Sequence, residues 1–304
     1  MPNSRDLMMA QMVGGAGFIA ALDQSGGSTP GALEAYGYAQ GDWSGDEAMY
    51  DLIHQMRVRI ITAPSFGTGK VLAAILFERT MDGMVGDGVP VPTALWQRGV
   101  VPFLKVDKGL EDEADGVQMM KPIGGLDPLL TRAKGLGVFG TKMRSVVKAA
   151  SRTGIVAIVK QQFEVAEQIN AAGLLPILEP EVSLKAPDRA AAEAILAEEI
   201  EGALDRLTGD RRVMLKLTIP AESDAYAALI GHHRVARIVA LSGGYSRDQA
   251  CAELMKNHGL IASFSRALLA ELRHDQDDRA FDAKLAEAID AIYAASVTKV
   301  RAGA

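Results

Sequence analysis

The chain has 304 residues, 48% hydrophobic and 23% charged, so it can bury a sizeable core and lies far from the composition of a disordered or fibrous protein. Its 32 Lys+Arg against 38 Asp+Glu leave a net charge of -6, which argues against nucleic acid as a partner and leaves anion binding to local clusters. The single cysteine, Cys251, forbids an internal disulfide, suits a reducing cytoplasm, and is expected as a small buried residue in a helix.

The first apolar run, 18–22, lacks the basic leader of a signal peptide, and no run in the chain is long enough to span a bilayer as a helix. Ser44 and Glu47 then have capping-box spacing ahead of one helical stripe, Met49, Leu52, Ile53, Met56 and Ile60. Further apolar runs follow at 71–77, 100–104, 137–140 and 174–178, the third of these diluted by glycine and Lys142. Residues 79–99, punctuated by proline and glycine, read as a loop within one domain. A helix is predicted over 161–172, stopped by Gly173, and Leu196, Ile200, Ala203 and Leu207 mark an outer helix. Runs at 213–215, 235–241 and 260–264 enclose a helix at 246–257 with a Ser246–Gln249 capping box. Phe281, Leu285, Ala288, Ile289 and Ile292 then predict a C-terminal helix. Eight continuous apolar runs alternating with helices are what strands buried on both faces of a parallel sheet require. They predict a single α/β domain, a (β/α)8 TIM barrel over 1–304 with a C-terminal helical extension; an open doubly wound sheet is the competitor.

Almost every run ends in an ionisable or phosphate-compatible group: Asp23, Glu78, Lys105, Lys142 with Arg144, Glu179 with Glu181, Lys216, Ser242 with Gly243 and Gly244, and Arg266. In a parallel barrel those ends ring one pocket. A lysine attacks a ketone only as the free amine, about one molecule in 2,500 at pH 7 for an unperturbed pKa of ~10.4, and burial or a neighbouring cation raises that fraction. Lys216, inside Val-Met-Leu-Lys-Leu, has the apolar surroundings, Lys142 can be the neighbouring cation, and a Schiff base becomes feasible. Glu179 and Glu181 share one side of an extended segment, where one can serve as acid or base while the other holds a lysine. Ser242, Gly243 and Gly244 before a helix N-terminus form a phosphate cradle, with Arg266 as a fork-shaped donor nearby. Gly67-Thr-Gly-Lys70 departs from a phosphate-loop pattern and reads as a turn. The five histidines show no metal-ligand spacing, His232 and His233 being expected to point apart, so no metal is predicted.

The blocks Leu-Asp-Gln-Ser-Gly-Gly-Ser (22–28), Lys-Val-Asp-Lys-Gly (105–109), Lys-Met-Arg (142–144), Glu-Pro-Glu (179–181), Leu-Lys (215–216), Leu-Ser-Gly-Gly (241–244) and Ser-Phe-Ser-Arg-Ala-Leu (263–268) resemble those of class I fructose-bisphosphate aldolase, in family order. The resemblance implies a TIM barrel that reversibly cleaves fructose 1,6-bisphosphate to dihydroxyacetone phosphate and glyceraldehyde 3-phosphate in glycolysis and gluconeogenesis, with no metal and no cofactor. It makes Lys216 the Schiff-base lysine, Glu179 the general acid/base, Asp23 the carboxylate that takes the C4 hydroxyl proton, Lys142 the neighbouring cation and Glu181 its supporting carboxylate. Ser242, Gly243, Gly244 and Arg266 would hold the phosphate of the dihydroxyacetone half, Ser25, Ser28 and Lys105 the other, with Arg144 near the substrate. The implied partner is a phosphorylated sugar in the cytoplasm, with no membrane; family members commonly oligomerise, so a homo-oligomer is an open expectation. Gln24 replaces a common glutamate and Phe264 a common tyrosine, the tyrosine-ended tail of animal relatives is absent, and 31–39 lacks their basic residues. Rival readings are a Schiff-base aldolase preferring tagatose or sedoheptulose bisphosphate, a non-catalytic sugar-phosphate-binding barrel, and a metal-dependent aldolase.

Overall fold

The computed structural model describes residues 3–25, 28–67, 69–86 and 88–300. Gly26 and Gly27 of the first motif, Thr68 of the Gly67–Lys70 turn and the chain end at 301–304 lie outside the described residues. Eight parallel strands form the barrel: β1 (Phe18–Leu22), β2 (Val71–Leu76), β3 (Val101–Lys105), β4 (Gly140–Val147), β5 (Leu175–Val182), β6 (Val213–Thr218), β7 (Val235–Leu241) and β8 (Ile261–Phe264). Each pairs with the next in chain order. β8 returns to β1 with Ile19 opposite Ser263, and β3 meets β4 with Lys105 opposite Lys142, so the eight strands close into a ring, and a short strand Val117–Gln118 pairs antiparallel with the end of β4.

Alternation along the strands separates two apolar layers. Phe18, Ala20 and Leu22 pack outward against the helices, while Ile19, Ala21, Val101, Phe103, Leu175, Ile177 and Met214 fill the interior. The helix Ser4–Gly14 closes the N-terminal end of the barrel, adding Met8 and Met12 to the interior cluster. Its Gln11 donates to the carbonyls of Leu72 and Gly99 at 2.8 and 2.7 Å, satisfying groups that the strand starts leave open. Of the stripe around Ile53, Met49, Ile53, Met56 and Ile60 are buried and Leu52 is half-buried; Leu196, Ile200 and Ala203 are buried on the helix Arg189–Asp205, and Leu207 is buried just beyond its end. The C-terminal helix Asp278–Val297 buries Phe281, Leu285, Ala288, Ile289 and Ile292.

Several local expectations are corrected. The 137–140 strand is displaced: the chain turns after the helix Leu126–Gly135, and β4 runs from Gly140 through Lys142 and Arg144, because polar side chains at the top of a barrel interior do not end a strand. Residues 79–99 are not a loop. They hold a helical turn Glu78–Met81, an antiparallel pair Met84–Val85 with Val89–Pro90, and the helix Val91–Gln97, for which proline serves in the first turn rather than as a breaker. The 161–172 helix opens earlier, at Arg152, capped by Ser151. Ser44 makes no side-chain cap bond, since the backbone kinks at Gly45 (φ +78°) before the helix Gly45–Thr62, whereas the Ser246–Gln249 capping box forms. Cys251 is half-buried, and the His232 and His233 rings stack at 4.8 Å because they follow the end of the helix Ala227–Gly231 rather than lying on a regular element.

Candidate active site

Carrying the interior alternation two residues further brings Asp23, Lys105, Glu179 with Glu181, and Lys216 to the C-terminal mouth. There Lys142 Nζ lies 2.6 Å from Asp23 Oδ2 and 2.8 Å from Glu179 Oε2, and Lys216 Nζ lies 2.9 Å from Glu179 Oε1. Asp23, Lys142, Glu179 and Lys216 thus form a row of alternating charge across the barrel, each residue no more than 8% exposed. The expected contact between the two lysines is replaced by Glu179, which stands between them with one oxygen toward each. Lys142 spans from β4 to the end of β1, three strands away around the barrel, which is why no local sequence spacing announces the pair.

Burial works against the Asp23 carboxylate, but Lys142, with Lys216 and Lys105 behind it, outweighs burial and holds this carboxyl well below the usual range. Glu179 behaves likewise: burial pushes it up, and Lys142 and Lys216 pull it below its ordinary value. Burial also opposes the Lys142 ammonium, yet Asp23, Glu179 and Asp107 hold it above the ordinary lysine value. Glu181 moves the other way, raised by burial and by the charge of Glu179. Expected beside Lys142, Glu181 instead meets Arg144, with Nη1 3.1 Å from Oε2. Two carboxyls on one strand are therefore driven apart, Glu179 toward the base and Glu181 toward the acid.

These shifts carry a stability prediction. Carboxyls lowered in the folded state contribute stability that is complete above their unfolded pKa near ~4 and lost as pH falls toward the folded value, so Asp23 and Glu179 both favour unfolding in acid. Glu181, raised on folding, contributes in the opposite sense. Urea titrations should show a midpoint that holds above about pH 5 and falls below about pH 4; a flat profile would contradict the ionised row.

The remaining expected residues form two groups. Ser242 is buried at the end of β7, followed by Gly243 (φ +61°) and Gly244 (φ +124°), and Arg266 lies alongside Gly244 at the end of β8. A side chain at Gly243 would be strained by that φ and would sit 2.9 Å from Leu184, so this turn needs glycine. At the end of β1, the neighbour of β8, the Ser25 N–H donates to Ser28 Oγ at 3.1 Å and the Ser28 hydroxyl donates to the Ser25 carbonyl at 2.9 Å. Lys105 Nζ is 2.7 Å from Asp107 Oδ1. Strands β3 and β7 are four apart in a ring of eight, so Lys105 and the Ser242 turn face one another across the mouth. Glu78 is not in the central row, since Lys108 and Arg132 hold it.

Two residues escaped the sequence reading. Asp107, buried beside Lys105, was visible only as part of Lys-Val-Asp-Lys-Gly. Arg57 is 1% exposed behind Gln24; its signal was the spacing, four residues after Ile53 and three before Ile60, which puts it on the buried stripe.

Residues 47–220 match the family described as fructose-bisphosphate aldolase class-I. The fructose-bisphosphate aldolase class 1 of Synechocystis sp. is 54% identical over 298 residues, covering 98% of each chain. The chain belongs to the class I fructose-bisphosphate aldolase family. Membership in the class I aldolases agrees with the solved structures that share its fold. Fructose-bisphosphate aldolase from Plasmodium falciparum, solved in a ternary complex with TRAP and a small-molecule inhibitor, superposes with a TM-score of 0.75 at 20% identity, covering 99% of this chain and 96% of that one. A Corynebacterium glutamicum protein superposes with a TM-score of 0.57 at 16% identity, covering 96% and 92%. At those identities the likeness is one of fold.

Proposed function

We propose that the chain is a lyase that reversibly cleaves fructose 1,6-bisphosphate to dihydroxyacetone phosphate and glyceraldehyde 3-phosphate through a Schiff base on Lys216, with neither metal nor cofactor. The observation that carries this reading is the buried Lys216 amine 2.9 Å from the Glu179 carboxylate, itself paired to Lys142 and through it to Asp23.

Glu179, held ionised, is placed to accept the proton that Lys216 must give up before its nitrogen attacks the C2 carbonyl. The proton returned by Glu179 leaves with the carbinolamine oxygen as water, and the iminium remains. Asp23 takes the proton of the C4 hydroxyl; the C3–C4 bond breaks, its electron pair passes into the iminium to form an enamine, and glyceraldehyde 3-phosphate departs. Protonation of the enamine at C3 and hydrolysis then release dihydroxyacetone phosphate and the free lysine. Lys142 stabilises the carboxylates while their protons move, and Glu181 with Arg144 borders the same wall. Ser242, Gly243, Gly244 and Arg266 take the C1 phosphate, and Ser25, Ser28 and Lys105 the C6 phosphate. The opposed positions of β3 and β7 suit a substrate charged at both ends.

In this reading the 304 residues act as one barrel domain in the cytoplasm, with a sugar phosphate rather than nucleic acid as partner. Among the described residues no helix is long and apolar enough to cross a membrane. The catalytic set comes from one chain, so the reading holds for a monomer or a homo-oligomer. Steady-state kinetics on fructose, tagatose and sedoheptulose bisphosphates in the presence of EDTA test it. The expected result is the highest kcat/KM on fructose 1,6-bisphosphate with no loss to the chelator; a higher value on another ketose would reassign the substrate, and inactivation by EDTA would overturn the mechanism.

A further inference from the structure

Arg57 is among the largest fully buried side chains of the protein, yet none of the ion pairs among the described residues includes it. Its guanidinium lies 5.9 Å from the Phe77 ring centroid; Nη1 donates to Thr80 Oγ1 at 2.9 Å, and Nη2 donates to the backbone carbonyl of Gln24. Gln24 follows Asp23 directly, and its side-chain amide donates to Ser265 Oγ, next to Arg266. A hydrogen-bonded line therefore runs from the helical turn Glu78–Met81 after β2, through Arg57 and Gln24 after β1, to Ser265 at the end of β8.

A buried cation without a direct ion pair is expensive, and a packed apolar residue would serve stability better at this position. What an apolar residue cannot do is hold a carbonyl and a hydroxyl at fixed separation, which the rigid guanidinium fork does. The carbonyl it holds belongs to the residue whose Cα is ~3.8 Å from that of Asp23. Burial brings the Arg57 pKa down to about 10, against the charge of Asp23, so the group stays cationic at neutral pH.

We propose that Arg57 is a positioning residue for the cleavage step. It locks the Gln24 backbone, and with it Asp23 and Ser25, so that the carboxylate meets the C4 hydroxyl and Ser25 with its partner Ser28 meets the C6 phosphate, while the Gln24 amide ties that position to Ser265. This rests on the aldolase reading above. The Schiff base itself forms on the opposite wall, from β4 to β6, and does not depend on this line.

Arg57→Lys and the near-isosteric Thr80→Val separate this role from a merely structural one. For Arg57→Lys, borohydride trapping of dihydroxyacetone phosphate on Lys216 should stay within about twofold of the parent rate, while kcat for fructose 1,6-bisphosphate falls about 10- to 100-fold. KM should rise about tenfold for fructose 1,6-bisphosphate and change less than about twofold for fructose 1-phosphate, which has no C6 phosphate. Thr80→Val should show the same split at about threefold, and it decides the matter if circular dichroism finds Arg57→Lys unfolded. Trapping lost in step with kcat, or equal KM changes on the two sugars, would overturn the proposal. Parent enzyme that fails to trap would instead overturn the aldolase reading on which it stands.

Discussion

Lys216→Ala is expected to lower kcat for cleavage of fructose 1,6-bisphosphate by about five orders of magnitude or more, because the electron sink for the breaking bond disappears with the amine. No neighbouring amine can take over. Lys142 is held between Asp23 and Glu179 at 2.6 and 2.8 Å, on a strand two away from Lys216, and Lys105 is occupied by Asp107. Arginine at 216 should be equally inactive, since a guanidinium does not condense with the ketone. Folding should survive, because Glu179 keeps Lys142 as its counter-ion. Steady-state assay with a thermal melt checks both statements; kcat within about 100-fold of the parent would mean that the reaction does not pass through Lys216.

Lys142→Met should be the most destabilising change at the site. It leaves Asp23 buried without its ion pair and Glu179 with Lys216 alone, and breaking a buried pair from one side costs about 3 to 5 kcal/mol. The pH dependence should also weaken. In the parent protein the lowered Asp23 carboxyl binds fewer protons folded than unfolded, so stability rises with pH through ~4. Without Lys142, burial of Asp23 is opposed only by Lys216 and Lys105, so the gain in stability as pH rises through ~4 should shrink. Urea midpoints of the two proteins at several pH values test this, and parallel slopes would contradict the assigned partner. A fall in kcat of about 10³-fold is expected alongside.

Much of this was legible in the sequence, and the misses share a cause. β1 lies where its apolar run does because nothing polar interrupts it, and β7 does so although Arg237 falls within it, since that guanidinium leaves the strand to meet the carbonyls of Val13 and Gly15. In β4, β5 and β6 the polar residues belong to the strand, so the apolar run stopped short of Lys142, Glu179 and Lys216 although the backbone continued. The residues at the mouth were identifiable individually, since each follows an apolar run. Their pairing was not, because it follows from closure of the sheet: Lys142 meets Asp23 only when β1 and β4 belong to one ring, and Glu181 turns to Arg144 on the adjacent strand. Arg57 was hidden by its type, a charged residue on a helix being expected in solvent although its spacing put it inward.

The most direct measurement is mass spectrometry of the protein reduced with borohydride in the presence of dihydroxyacetone phosphate. The account predicts one added ketose phosphate per chain, located on the peptide that contains Lys216 and missing from Lys216→Ala. A label on Lys142 or Lys105, or turnover of fructose 1,6-bisphosphate by a protein that never becomes labelled, would contradict it.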